Sequence, residues 1–194
     1  MKLVLASKNK GKLAEMQRIL ADLGVEVVLQ SDLGIDVDVE ETGTTFAENA
    51  ELKAKAVMEA SGLPAIADDS GLCVHWLNNA PGIYSARYGG VGSDEERYRL
   101  LLQNMRGATD RSAHFHCSII CCFPGGDVLA AEGDCYGTVA YAPAGEGGFG
   151  YDPIFFVPEL KKTFSQLTAA EKNEISHRGL ALRDFAAKLK DYLN

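Results

Sequence analysis

An α/β fold on a partly parallel sheet is what this sequence predicts, and three observations lead there. The chain opens strand–loop–helix–strand, the unit that lays two parallel strands side by side through a crossover helix. Its middle carries a long run of period two, then a turn and a returning run, which is the pattern of a hairpin. Its end goes back to helical spacing.

Residues 2–6 form a short buried strand, and Ser7-Lys8-Asn9-Lys10-Gly11-Lys12 is a polar turn. Leu13, Met16, Leu20 and Leu23 then recur at helical spacing, and Gly24 closes that helix. Residues 25–29 are the second strand, and residues 31–43 are acidic and irregular. Thr45-Phe46-Ala47-Glu48 fits a capping box, with Thr45 as N-cap and Glu48 answering it. Phe46, Ala50, Ala54 and Val57 give the helix an apolar face, and Gly62 ends it. A third strand, residues 63–67, terminates in Asp68-Asp69-Ser70-Gly71. A second capping box, Ser93-Asp94-Glu95-Glu96, opens a helix that buries Leu101, Leu102 and Met105.

From 113 to 123 the pattern changes to period two, with Phe115, Cys117, Ile119, Cys121 and Phe123 alternating with His116, Ser118 and others. Pro124-Gly125-Gly126-Asp127 is a turn, and residues 128–141 are the antiparallel return. This hairpin suits the backbone of a second lobe. Gly145, Gly147, Gly148 and Gly150 then surround Phe149 ahead of Tyr151-Asp152-Pro153. The last helix runs from about Ala170 to the end, with Leu182, Phe185, Leu189 and Tyr192 on one face. No internal repeat, low-complexity tract or linker divides the chain, so residues 1–194 read as one domain.

Composition narrows the function. Hydrophobic residues make up 46% of the 194, enough for a substantial core. With 19 Lys+Arg against 27 Asp+Glu, the net charge of -8 argues against a nucleic-acid partner, which needs a basic footprint. An acidic chain that binds an anionic substrate needs a local basic pocket or a metal. No stretch approaches the ~18 apolar residues of a membrane span. Met1-Lys2-Leu3-Val4-Leu5-Ala6 is too short for a signal peptide and runs into Lys8, Lys10 and Lys12, so the chain reads as cytoplasmic, with no membrane partner. Cys73, Cys117, Cys121, Cys122 and Cys135 are odd in number and contain no Cys-x-x-Cys pair; they read as reduced, buried small hydrophobes.

Four segments could carry chemistry. Ser7 to Lys12 joins a strand end to a helix start, where backbone N–H groups and the helix dipole suit phosphate. Ser7 and Asn9 add neutral donors, and Lys8, Lys10 and Lys12 add charge. The same segment also suits a solvated basic turn. Asp68-Asp69 follows an apolar strand, and adjacent carboxylates repel unless a cation compensates them; Mg²⁺ favours carboxylates together with substrate phosphates. Glu40 and Glu41 could supply a further ligand, whereas Asp-Asp-Ser-Gly is equally good turn chemistry. Glu48 completes its capping box and could also point toward the site. Lys53 and Lys55 read as solvated partners of nearby acids. Glycines around Phe149 let a ligand approach the ring, and a ring can stack on a base. Lys172 and the run Ser176-His177-Arg178 supply donors for carbonyl oxygens.

Taken in order, these segments resemble the inosine triphosphate pyrophosphatases, enzymes that clear non-standard purine nucleotides, and most closely the bacterial-type branch. The matching stretches are Ser7 to Lys12, the run from Glu41 to Ala50, Ala67-Asp68-Asp69-Ser70-Gly71-Leu72, Pro81-Gly82-Ile83-Tyr84-Ser85-Ala86-Arg87-Tyr88, the run from Gly147 to Pro153, and Lys172 with Ser176-His177-Arg178. The resemblance implies an elongated α/β fold, a long mixed central sheet flanked by helices, and two lobes around a cleft. It implies a homodimer that splits inosine, deoxyinosine and xanthosine triphosphates into monophosphate and pyrophosphate with Mg²⁺. Ser7, Lys8, Asn9, Lys10, Gly11 and Lys12 would hold the triphosphate. Glu41, with or without Glu40, and Asp69 would hold the metal. Asp69 would also be the general base, supported by Asp68 and Glu48. Ser70 would contact substrate, and Phe149, Gly150, Tyr151, Asp152, Lys172, His177 and Arg178 would surround the base.

Two other functions compete with this one. Septum-inhibition-type pyrophosphatases share the architecture but prefer pyrimidine or modified nucleotides, and Phe149-Gly150-Tyr151-Asp152 with Ser176-His177-Arg178 argues against them. A nucleotide sensor that no longer hydrolyses would be suggested by loss of Asp69 or Glu41, and both are present.

Overall fold

Strand β1 (Lys2–Leu5) organises the sheet from its interior. In the computed structural model, which describes residues 1–194, β1 pairs in parallel with β2 (Glu26–Leu29) on one side, Leu3 opposite Val27. On the other side it pairs in parallel with β3 (Ala65–Val74), Val4 opposite Ala65. The remaining strands are β4 (Ser112–Cys122), β5 (Val128–Val139), β6 (Phe155–Val157) and β7 (Lys162–Thr163), and the seven stand in the order β2-β1-β3-β4-β5-β6-β7. Since β5–β6 and β6–β7 are antiparallel, the sheet is mixed, as the sequence implies. The helices are α1 (Lys10–Leu20), α2 (Phe46–Ser61), α3 (Asp94–Asn104), α4 (Ala169–Ile175) and α5 (His177–Leu193). None is long and apolar enough to cross a membrane.

The chain forms two compact units, the first made of Met1–Asp69, Cys117–Gly133 and Leu180–Asn194, the second of Ser70–His116 and Asp134–Gly179. In the first unit, strand alternation decides which helix each side chain meets. Leu3, Leu5 and Ile66 pack with Met16 and Leu20 of α1 and Leu182, Phe185 and Leu189 of α5. On the opposite face Val4 and Ala65 meet Val57 of α2, and Ala67 meets Ala50 and Ala54. Truncating one such fully buried leucine to alanine costs ~2–5 kcal/mol. Helix α2 starts where its capping box says it should: Thr45 Oγ1 accepts from Glu48 N at 3.1 Å, and Thr45 N donates back to Glu48 Oε2 at 3.2 Å. The second unit has an aromatic core. Phe155 lies 4.7 Å from both Phe115 and Phe164, centroid to centroid, beside Leu72, Val74 and Leu101.

Three features differ from the sequence expectation. Strand β3 does not stop before Asp68; it continues through Asp68-Asp69-Ser70-Gly71 to Val74, because Leu72, Cys73 and Val74 are buried beyond that run. In β4 the polar-facing positions are also covered: Ser118, Ile120 and Cys122 are all buried, Ile120 and Cys122 against Ala50 and Ala54 of α2. The last helix is two helices. Ser176 is extended (φ -67°, ψ 148°) and ends α4, and its Oγ then accepts from Gly179 N at 3.1 Å as the cap of α5. A side chain at position 179 would put Cβ 2.1 Å from Asn173 O, so this corner requires glycine. The five cysteines are free and buried, as expected.

Candidate active site

The first unit carries the phosphate-type residues. Strand β1 ends at Leu5, whose carbonyl accepts from Ser7 N at 2.8 Å. Ser7 Oγ accepts from Asn9 N at 3.1 Å, and Asn9 Oδ1 caps α1 by accepting from Gly11 N at 2.8 Å and Lys12 N at 3.2 Å. Asn9 therefore builds the helix start, and its amide nitrogen is left as the donor. Lys8 is exposed and pairs with Asp36 at 2.7 Å, which raises the ammonium pKa and lowers that of the carboxyl. Lys10 is exposed and has no partner.

Asp68 and Asp69 face opposite sides of β3, as alternation requires. Asp68, whose side chain is 1% exposed, takes Lys12 Nζ of α1 at 2.8 Å. Asp69 takes Lys53 Nζ of α2 at 3.4 Å, and the same ammonium lies 2.8 Å from Glu41 Oε1. Each aspartate thus has its own lysine. Burial pushes the Asp69 pKa up, against the pull of Lys53 and with the push of Glu41. Lys53 is raised despite its burial, because Asp69 and Glu41 both favour its charge. Lys53 is thus not the solvated partner that its sequence suggests; its side chain is only 20% exposed and bridges two carboxylates. Asn49, fully buried one turn earlier on α2, accepts from Gly43 N at 2.8 Å and so ties the Glu41 loop to that helix. Asn49 Nδ2 and Asp69 Oδ2 are buried and make no hydrogen bond of ordinary geometry, although the amide is near enough to draw the Asp69 pKa down.

Two of the other carboxylates sit elsewhere. Glu48 Oε2 accepts from Thr44 N, Thr44 Oγ1 and Thr45 N at 2.6, 2.8 and 3.2 Å, which holds its pKa below the ordinary value. The side chain is exposed and its hydrogen bonds are those of the cap. Glu40 is exposed and joins no contact of the Glu41–Lys53–Asp69 group.

The second unit carries the base-type residues. Asp152 Oδ2 accepts from Phe149 N at 2.9 Å and Lys172 Nζ at 2.5 Å. Gly148 lies at φ +80°, and a Cβ there would stand 2.1 Å from Asp152 Oδ2, so the turn demands glycine. Lys172 Nζ also lies 4.8 Å from the Phe149 ring centroid. That ring is 62% exposed, an aromatic face held up by a closed turn. Gly150 N donates to Asp94 Oδ2 at 2.7 Å, and Tyr151 OH donates to Ser85 O at 2.8 Å. Tyr151 is buried, with its hydroxyl pKa pushed up by desolvation; it anchors the turn rather than presenting a surface. His177 stacks on Phe115 at 4.7 Å and 11°. Arg178, also buried, reaches Ser70 Oγ at 3.5 Å.

The sequence assigned no site role to Lys53, Asn49, Asp36 or Asp94. Asn49 and Lys53 stand four apart beside the buried Ala50–Ala54 stripe, so a helical projection of α2 would have shown them turning toward the sheet. Asp94 carried a signal only as the first residue of a capped helix.

No three His, Cys, Asp or Glu side chains converge to chelate an ion by themselves. Glu41 and Asp69 nevertheless both meet the Lys53 ammonium, and Asp69 Oδ2 is buried with no hydrogen bond of ordinary geometry. Two carboxylates completed by substrate phosphate and water is the donor set that Mg²⁺ accepts, so these residues fit such an ion bound jointly with a phosphorylated ligand.

A model of the Ham1 family matches residues 3–188. The chain is 49% identical over 195 residues to a dITP/XTP pyrophosphatase of Yersinia pestis, with 98% of each covered. It is 50% identical over 201 residues to a protein of that name from Streptomyces coelicolor, covering 99% of this chain and 98% of the relative. Among solved structures it is similar to a HAM1 protein from Coxiella burnetii, with TM-score 0.94, 44% identity, and 98% and 99% of the two chains covered. The Ham1 protein of Staphylococcus aureus aligns with TM-score 0.89 and 45% identity, covering 100% of this chain and 98% of that one.

Proposed function

The chain belongs to the Ham1 family, and from that premise we propose that it hydrolyses non-standard purine nucleoside triphosphates (inosine, deoxyinosine and xanthosine triphosphate) to the monophosphate and pyrophosphate. The observation that carries this is the end-to-end match, at about half identity, to relatives named dITP/XTP pyrophosphatase.

The chain's own residues support a division of labour. Lys8, Lys10 and Lys12, with the N–H groups that open α1, would bind the triphosphate and stabilise charge on the departing pyrophosphate. Glu41 and Asp69 would hold a divalent ion, taken to be Mg²⁺, which when bound neutralises phosphate charge and polarises the phosphoryl group. Asp69, its proton affinity raised by burial, would orient the attacking water and accept its proton. Asp68 would position Lys12 through their 2.8 Å ion pair. Phe149 would stack on the base. Arg178, His177 and Lys172 would offer donors to a 6-oxo group, which adenine lacks; arginine cannot accept from the adenine amino group. Ser70 would touch substrate beside Arg178. A homodimer rests on the family resemblance, and light scattering tests it; a cytoplasmic location is the expectation from the sequence, and cell fractionation tests it.

Incubation with inosine triphosphate and Mg²⁺, with pyrophosphate and orthophosphate read separately, tests the reaction. Inosine monophosphate and pyrophosphate are the expected products. Orthophosphate with inosine diphosphate would place the cleavage at the wrong bond.

A further inference from the structure

The second unit holds a cavity of about 610 Å³ at the C-terminal end of α3, and no residue assigned above to the reaction lines it. Its wall carries Arg99, Arg106 and Arg111, a local concentration of positive charge in a chain of net charge -8. Arg111 is fixed by three carbonyls: Nε donates to Val139 O at 2.7 Å, Nη2 to Ala140 O at 2.9 Å and Nη1 to Met105 O at 3.5 Å. A guanidinium has five N–H groups, so two remain. No carboxylate pairs with this half-buried cation, and an unpaired charge taken out of water is costly. The exposed Arg106 side chain is likewise unpaired, whereas Arg99 is held by Glu95 at 2.7 Å.

The second ingredient is aromatic. The Arg111 guanidinium lies 4.2 Å over the Tyr141 ring centroid, covering one face. Tyr141 is still 84% exposed, which leaves the other face open at the mouth of a cavity also lined by Leu102 and Met105. A pre-oriented guanidinium, a second free one, an open aromatic face and an apolar floor match a flat ring joined to a phosphate. We propose that this cavity is a second nucleotide site, which takes a nucleoside monophosphate with its phosphate on Arg106 and Arg111 and its base on Tyr141. It binds without hydrolysis, since no carboxylate lines it.

The test is an NMR titration of the full chain, without divalent metal, using adenosine monophosphate and ribose 5-phosphate as probes. Neither has an anhydride to cleave, so the result does not depend on the proposed reaction. Adenosine monophosphate should shift the amides of Gly107 and Ala108 and the Arg111 Nε resonance. Arg106→Ala should weaken both probes ~10-fold or more, as loss of a charge-assisted contact does. Tyr141→Ala should weaken adenosine monophosphate ~10-fold and leave ribose 5-phosphate unchanged, because only the base stacks. Both side chains are exposed, so melting temperature and basal turnover should stay at wild-type values. Shifts confined to residues 7–12 and 147–152, or unchanged affinity in both variants, would overturn the site. Equal affinity for the two probes would overturn its nucleotide character.

Discussion

Lys53→Met probes the centre of the acidic site, because it removes one charge and keeps the volume of the side chain. Lys53 Nζ lies 2.8 Å from Glu41 Oε1 and 3.4 Å from Asp69 Oδ1. At an effective dielectric constant near 20 those contacts are worth about 6 and about 5 kcal/mol before desolvation. Desolvation cancels much of this, and removing one partner of a buried pair costs ~3–5 kcal/mol. With Lys53 still 20% exposed, the lower figure of ~3 kcal/mol is expected for the metal-free protein. A chain of this size loses ~2–4 °C of Tm per kcal/mol, so the melting point should fall by roughly 6–12 °C in chelator. A divalent ion fills the same charge deficit, and at 100 times its Kd a ligand returns ~2.7 kcal/mol. In the wild type the ion must first displace the lysine. Mg²⁺ should therefore raise the Tm of Lys53→Met by more than it raises that of the wild type. Scanning calorimetry with and without Mg²⁺ measures both quantities. A loss below ~0.5 kcal/mol in chelator, or equal Mg²⁺ shifts in the two proteins, would show that Glu41 and Asp69 are not a shared cation cradle.

Asp69→Asn should lower turnover of inosine triphosphate by at least ~100-fold, the scale of losing a general base; Asp68→Asn should instead raise KM, because it frees Lys12, and steady-state kinetics separates the two. Arg178→Ala should reduce kcat/KM for inosine triphosphate by ~10–100-fold more than for adenosine triphosphate, whereas Phe149→Ala should weaken both alike; an unchanged substrate ratio in Arg178→Ala removes it from base reading. Burial pushes the Cys73 and Cys135 thiols up to about 11, so iodoacetamide at about pH 8 should label no cysteine rapidly until urea unfolds the chain; fast labelling of the native protein would contradict the buried placement. Glu48 has a folded pKa below its ordinary 4.5, so its contribution is complete above that value and fades as pH falls beneath it. The stability gap to Glu48→Gln should thus be full at about pH 7 and close toward about pH 3; a gap that urea unfolding finds constant over that range would rule out the charged cap.

Much of the fold was legible because its signals are local. Thr45 with Glu48 and Ser93 with Glu96 both form the capping boxes their sequences spell out, and Gly62 ends α2. Such signals need only a few neighbouring residues to operate. The failures are places where a distant element overrules local chemistry. Asp68-Asp69-Ser70-Gly71 is good turn sequence, yet it lies inside a strand because lysines from α1 and α2 meet its charges. The alternation of β4 fades because α2 covers a face expected to meet water. The corner at Ser176 depends on Gly179 passing close to Asn173, a contact that helical periodicity cannot report.

The site followed the same logic. Its residue types were readable, but their pairing was not. Read as neighbours, Asp68 and Asp69 form one repelling pair that one cation would relieve. Strand geometry separates them: Asp68 shares the face of Ile66 toward α1, and Asp69 shares the face of Ala65 and Ala67 toward α2. The consequence is chemical. On the α1 side a buried carboxylate and a lysine neutralise each other beside the phosphate-type loop. On the α2 side two carboxylates meet one ammonium, and Asp69 Oδ2 has no hydrogen bond of ordinary geometry. The divalent ion proposed above would therefore sit on the α2 face of β3, and the α1 face would carry the lysine alone. The parity of a single strand is enough to give two adjacent aspartates different partners.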